Sequence, residues 1–146
     1  MNPVLFSSER EDWETPNDFF RALNAEFGFT LDAAANHKNH KCPKYYTPEE
    51  DALTQDWGGE IVWCNPPYGR NIGEWVKKAY EESQKPNTVV VLLIHSRTDT
   101  AWFHDWVYGK ARLRFVRGRL KFGGSKNPAP FPSLIAIYGV ASEDEE

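Results

Sequence analysis

Residues 60–69 read Glu-Ile-Val-Trp-Cys-Asn-Pro-Pro-Tyr-Gly. The first five residues form a short apolar strand that runs directly into a turn stiffened by two prolines, which fix φ and donate no backbone hydrogen bond. A helical pattern with Trp75, Val76, Ala79 and Tyr80 on one face follows. Pro86-Asn87 marks the next turn, and residues 88–94, Thr-Val-Val-Val-Leu-Leu-Ile, are an unbroken apolar strand. Such runs suit a parallel sheet covered on both faces. Upstream, residues 29–33 read as a short strand ending in Asp32 and small residues. Before it, Thr15-Pro16 predicts a helix start with Thr15 as N-cap, Phe19, Phe20, Leu23 and Phe27 on one face, and Gly28 as the stop. Thr47-Pro48-Glu49-Glu50 reads as a capping box opening a short helix. Downstream, the pattern predicts a helix over 98–108, strands over 112–116 and 119–122 around Arg117-Gly118, and a last strand over 133–139. Alternating strand and helix predict an α/β three-layer fold. Ligands of such sheets sit outside the carboxyl ends of the strands, which points to Asp32, the turn 65–69, and His95-Ser96-Arg97.

A chain of 146 residues is of single-domain length and can bury one core without staples. One domain over 1–146 is therefore expected, with 1–10 and 141–146 flexible. No apolar run approaches a membrane span, the N-terminus lacks the pattern of a signal peptide, and Cys42 and Cys64 are the only cysteines. These features predict a reduced, cytoplasmic protein with no membrane partner; they leave open a monomer or a homodimer. The net charge of −4 resides in Glu143, Asp144, Glu145 and Glu146, so the body is neutral. Within that body Lys110, Arg112, Arg114, Arg117, Arg119, Lys121 and Lys126 cluster without an intervening acid. Apolar Leu113, Phe115, Leu120 and Phe122 interleave with them, as in a folded element able to meet phosphates. A solvated strand face is the plainer reading of the same charges.

The turn carries the chemistry. A strand in front and two prolines behind freeze the Asn65 side chain and the Pro66 carbonyl in one direction, and both carry acceptors. A rigid pair of acceptors suits an exocyclic –NH2 group whose lone pair is delocalised into an aromatic ring. Accepting both N–H bonds draws the nitrogen toward tetrahedral geometry, and the cation that forms then lies beside preorganised acceptors. Tyr68 offers a ring to stack on a base. No metal is required. His37, His40, Cys42 and Cys64 match no strong zinc spacing, and Asp99 with His104 lacks a nucleophile for hydrolysis.

Beyond the turn, Trp13-Glu14-Thr15-Pro16, Leu31-Asp32-Ala33-Ala34-Ala35, Arg97-Thr98-Asp99-Thr100 with Trp102-Phe103-His104, Gly118-Arg119-Leu120-Lys121-Phe122 and Pro130-Phe131-Pro132-Ser133 recur in order. Together with Trp63-Cys64-Asn65-Pro66-Pro67-Tyr68, this set resembles the phage-type DNA N6-adenine methyltransferases, over roughly residues 11–140. The resemblance implies a compact, Rossmann-like S-adenosylmethionine-dependent methyltransferase fold, with no separate target-recognition domain. It implies methyl transfer to the N6 amine of adenine in double-stranded DNA, with the base flipped into the pocket of Asn65, Pro66, Pro67 and Tyr68. It further implies cofactor contacts from Thr15, Pro16, Asp32, Ala33, Ala34, Asp56 and Trp57, a base-pocket wall from Phe103, and DNA contacts from Arg97, Arg117, Arg119 and Lys121. For a phage-encoded enzyme it implies the host cytoplasm and protection of DNA from restriction. The loop Asp32-Ala33-Ala34-Ala35-Asn36 departs from the usual glycine-rich cofactor loop. RNA, the cytosine N4 amine, a protein glutamine amide, and a binding protein without activity are the alternatives.

Overall fold

The computed structural model describes residues 14–69, 71–123 and 127–139; Trp13, Lys126 and both terminal segments named above lie outside them. The elements in chain order are α1 (Asn17–Phe27), β1 (Leu31–Asp32), β2 (Ile61–Cys64), α2 (Ile72–Ser83), β3 (Val89–His95), α3 (Ala101–Trp106), β4 (Arg112–Phe115) and β5 (Ser133–Tyr138). The strands form one mixed sheet in the order β1-β2-β3-β5-β4. β1, β2 and β3 are parallel, and β5 runs antiparallel to both β3 and β4.

The apolar run 90–94 lies at the centre of the sheet, and its five residues are fully buried. Trp63 pairs with Val91, and Val91 with Ile137, so Trp63 and Tyr138 stand on opposite faces. On the Trp63 side, Phe20 of α1 meets the indole edge-on at 5.4 Å, and Glu26 of α1 binds Arg114 of β4 through both carboxylate oxygens. On the other side, Tyr80 of α2 contacts Tyr138, whose hydroxyl donates to the Trp106 carbonyl of α3. Residues 44–46 return along the outer edge of β1, where Tyr46 N–H donates to Asp32 O and Asp32 N–H to Lys44 O. The carboxyl ends of β1, β2 and β3 therefore open side by side.

Local expectations need four corrections. Thr15 does not cap α1: Pro16 occupies that position without a side-chain bond, because the Thr15 hydroxyl is taken by Asn65. Gly28 does end the helix, at φ 68°. Residues 47–50 form a turn and not a helix. Glu50 reaches back to the Thr47 N–H at 2.8 Å, but Asp51 at φ 53° breaks propagation, leaving one 3-10 turn at Ala52–Thr54. α3 starts at Ala101, because the Thr100 hydroxyl accepts from Phe103 N–H and makes Thr100 the cap. Residues 119–122 form no strand: Gly118 at φ 72° turns the chain, and Leu120 O accepts a single bond from Ala129 N–H with no ladder around it.

Candidate active site

A cavity of about 580 Å³ opens at the carboxyl ends of β1 and β2, within the range of small-molecule sites. Asp32, Ala33, Ala34 and Asn36 line it from β1 and its loop, Trp63, Asn65 and Pro67 from β2 and its turn, and Asn71 and Trp75 from α2. Glu14 and Thr15 close one side, Tyr46, Thr47, Pro48, Asp51 and Leu53 another, and Gly123 the rim. A methyl group on Gly123 would stand 2.6 Å from Glu14 Oε1, so the absence of a side chain there permits the close approach. A second, more polar cavity of about 550 Å³ shares Glu14, Thr15, Asn39, Lys41 and Gly123 with the first and adds Pro16, Arg21, Lys38 and His40.

Asp32 is 2% exposed. Its Oδ2 accepts from Lys41 N–H at 2.8 Å and its Oδ1 from Ala34 N–H at 3.3 Å. Burial raises its proton affinity, against those two amides and the nearby Lys41 and His40 charges. The loop after β1 needs no glycine: the positive-φ residues other than glycine among those described are Asp51 and Asn87, so Ala33, Ala34 and Ala35 follow Asp32 without strain. Backbone bonds hold the loop, Ala33 N–H to Trp63 O and Ala35 N–H to Tyr46 O. Asn65 Nδ2 donates to Thr15 Oγ1 at 3.0 Å, which ties the turn after β2 to the segment before α1.

Thr15, Asp32, Ala33, Ala34, Asn65 and Pro67 thus meet at one cavity, with Thr15 and Asn65 fifty residues apart in the chain. Residues 4–136 match the family model described as DNA N-6-adenine-methyltransferase (Dam). The chain belongs to this family. It is 35% identical over 113 residues to the DNA N-6-adenine-methyltransferase of Escherichia phage T1, across 76% of this chain and 47% of that protein. It is 36% identical over 111 residues to the protein of the same name from Haemophilus phage HP1 (strain HP1c1), across 75% of this chain and 64% of that one. The chain therefore spans about half to two thirds of the length of these curated relatives.

Several expected residues stand elsewhere. Pro66 is buried behind the turn and does not line the cavity. Asp56 points to solvent, paired with Lys85 at 2.8 Å, and Trp57 is fully buried, its indole N–H donating to Ala52 O. Neither meets the cavity, because the chain turns inward one step earlier, at Asp51-Ala52-Leu53. Tyr68 is buried, with its hydroxyl donating to Leu93 O at 2.9 Å and its ring against His95 and Phe131. Phe103 is core beside Trp102 and Tyr108. Arg97 is exposed near Asp99.

In the basic stretch, Arg114 is committed to Glu26, while Arg117, Arg119 and Lys121 are exposed. His37 bonds the Tyr45 hydroxyl and His40 stacks on the Tyr45 ring at 4.0 Å. Burial pushes the Cys42 thiol up to about 12 and the Cys64 thiol well above its ordinary value. Among the described residues no group of three or more His, Cys, Asp or Glu could hold a metal ion.

Tyr46, Asp51, Asn71, Trp75 and Gly123 belong to the site without having been marked by the sequence. Asp51 alone carried a signal, as the residue after a capping box, but nothing local told that its turn faces β1.

Proposed function

We propose that this chain is an adenine-specific DNA methyltransferase that uses S-adenosylmethionine, built as one three-layer, Rossmann-like methyltransferase domain. The supporting observation is that Asn65, at the head of the Asn-Pro-Pro-Tyr turn, shares one cavity with Asp32 and Thr15. The names of the two phage relatives supply the acceptor, the N6 amine of adenine in DNA.

The cavity fits the cofactor. Its volume suits a nucleoside joined to an amino acid. Its buried Asp32 carboxylate, whose charge is penalised by burial, gains from a positively charged ligand. Trp63 and Tyr46 offer flat apolar walls. In this reading Asp32, Thr15, Ala33 and Ala34 hold the cofactor, joined by Tyr46 and Asp51. When bound, the cofactor supplies a methyl group carried on a positively charged sulfur. Asn65 Oδ1 accepts an N6 hydrogen of adenine and orients its lone pair, and the surplus proton leaves N6 for water.

Paired adenine cannot present N6 in this way, so the base leaves the duplex at a cost of a few kcal/mol. Phosphate contacts offset part of that cost, and Arg117, Arg119 and Lys121 are exposed and available for them. Binding to duplex DNA will lose roughly one unit of log–log salt slope for each of Arg117→Ala and Arg119→Ala, measured by titration across salt concentrations. Unchanged affinity and slope in both variants place the DNA on another surface.

The decisive experiment incubates the protein with labelled S-adenosylmethionine and unmethylated duplex DNA, then digests the DNA to nucleosides. N6-methyldeoxyadenosine is the expected product. Label in RNA, in N4-methylcytosine or in a glutamine peptide, with none in adenine, replaces the acceptor; no label in any of them defeats the activity.

A further inference from the structure

Two buried polar atoms on neighbouring strands lack partners. His95 ends β3, Ser133 opens β5, and the two are direct partners in the antiparallel ladder. His95 Nδ1 and Ser133 Oγ are both buried with no hydrogen-bond partner among the described residues, and Ser133 is 1% exposed. Roughly nine in ten buried polar groups in native proteins are bonded, because an unpaired one carries a desolvation cost that nothing returns. Two orphans on one cross-strand pair, at the ligand-binding end of the sheet, call for a ligand. The imidazole is neutral: burial lowers its pKa to about 4, with a further push from Arg97.

Rings surround His95. Tyr68, of the Asn-Pro-Pro-Tyr turn, stands T-shaped to His95 with centroids 4.8 Å apart. Phe131 lies 5.6 Å from His95 and 5.4 Å from Tyr68, and Trp102 lies 5.6 Å from His95. Tyr68 is held by its bond to Leu93 O and His95 by the β3–β5 ladder, and Trp102 lies on α3. Phe131 is half-buried on irregular chain between Pro130 and Pro132. It also contacts the Phe122 ring, with centroids 6.0 Å apart.

We propose that His95 and Ser133 form the polar floor of a slot that receives the target purine beside Tyr68 and Phe131. This rests on the reading of the chain as an adenine methyltransferase. With N6 held at Asn65, adenine still presents ring nitrogens that only accept hydrogen bonds. A serine hydroxyl and a neutral imidazole each supply a donor to such atoms. Guanine, whose N1 carries a hydrogen, sets a donor against a donor. Entry of adenine thus satisfies both orphans and gives Tyr68 a base to stack on.

The test uses the full chain with His95→Phe and Ser133→Ala. Each removes an orphan while keeping most of the packing, so the melting temperature without ligand should equal or exceed that of the wild type. Affinity for S-adenosylhomocysteine should stay unchanged. The value of kcat/KM on duplex DNA should fall roughly 5- to 150-fold, the span expected for one lost hydrogen bond to a base. A purely structural role would instead lower the melting temperature and spare kcat/KM. Wild-type kcat/KM in both variants overturns the proposal. If His95→Phe does not fold, Ser133→Ala, which removes one oxygen, decides alone. Absence of methyl transfer by the wild-type protein overturns the underlying reading and this slot with it. Transfer by the wild type with undiminished variants overturns the slot only.

Discussion

Asn65→Ala will reduce methyl transfer by about 100- to 1000-fold, the usual effect of removing one preorganised group from a transition state, while cofactor affinity persists. The side chain lies at the end of β2, tied through Nδ2 to Thr15 Oγ1, so its direction is set before substrate arrives. In the proposed reaction its oxygen draws hydrogen-bond density from the N6 amine as charge develops there, a contact stronger in the transition state than in the ground state. Alanine removes that oxygen and also frees the Thr15 hydroxyl, at a stability cost of about 1 kcal/mol. That cost is too small to unfold a domain of ordinary stability. Single-turnover rates with saturating DNA, beside calorimetry with S-adenosylhomocysteine, separate the two functions. Wild-type turnover in this variant would sink the role assigned to Asn65. Loss of cofactor binding together with turnover would move Asn65 to the cofactor side.

Trp57→Ala will cost about 3–5 kcal/mol of folding stability, a third or more of what a small domain possesses. Trp57 is fully buried. Its indole N–H donates to Ala52 O at 3.1 Å, its backbone N–H donates to Glu82 Oε1 at 2.7 Å, and Lys78 Nζ lies 5.5 Å over its ring. Truncation empties a large core volume and removes one of two donors to the Ala52 carbonyl, the other being Gln55 N–H, beside the 3-10 turn that positions Asp51 and Leu53 at the cavity. Asp56→Ala should be close to neutral, because its carboxylate is exposed and its partner Lys85 also binds Glu82. Urea denaturation measures both variants. Calorimetry should find cofactor affinity unchanged in Asp56→Ala and weakened in Asp32→Ala. Strong loss of affinity in Asp56→Ala would return that residue to the cofactor site and refute its placement at the surface.

The sequence by itself determined the strands at the centre of the sheet and the stiff turn that follows β2. The unbroken apolar run 88–94 has one stable destination, a strand covered on both faces, and the two prolines after β2 stiffen the turn wherever the strand lies. Gly28 and the apolar faces of α1 and α2 were legible for the same reason: they are set by local sterics and by helical period. Even the alanines after Asp32 could be read in principle, since a loop without positive φ needs no glycine.

Only the tertiary structure decided which residues face the cavity. Asp56-Trp57 and Asp51-Ala52-Leu53 are adjacent pieces of one chain, and no local property distinguishes the piece that turns inward. That choice follows from the return of residues 44–46 along β1 and from the capture of the Trp57 N–H by Glu82 across the fold. Thr15 has the chemistry of a helix cap, but Asn65, brought near by folding, competes for its hydroxyl and wins. Residues 119–122 alternate as a strand does, yet β4 already occupies the edge beside β5. His95 and Ser133 lie far apart in sequence, and each is ordinary alone. The antiparallel ladder makes them neighbours, because a long-range pairing depends on the packing of the whole sheet and leaves no mark in either short segment.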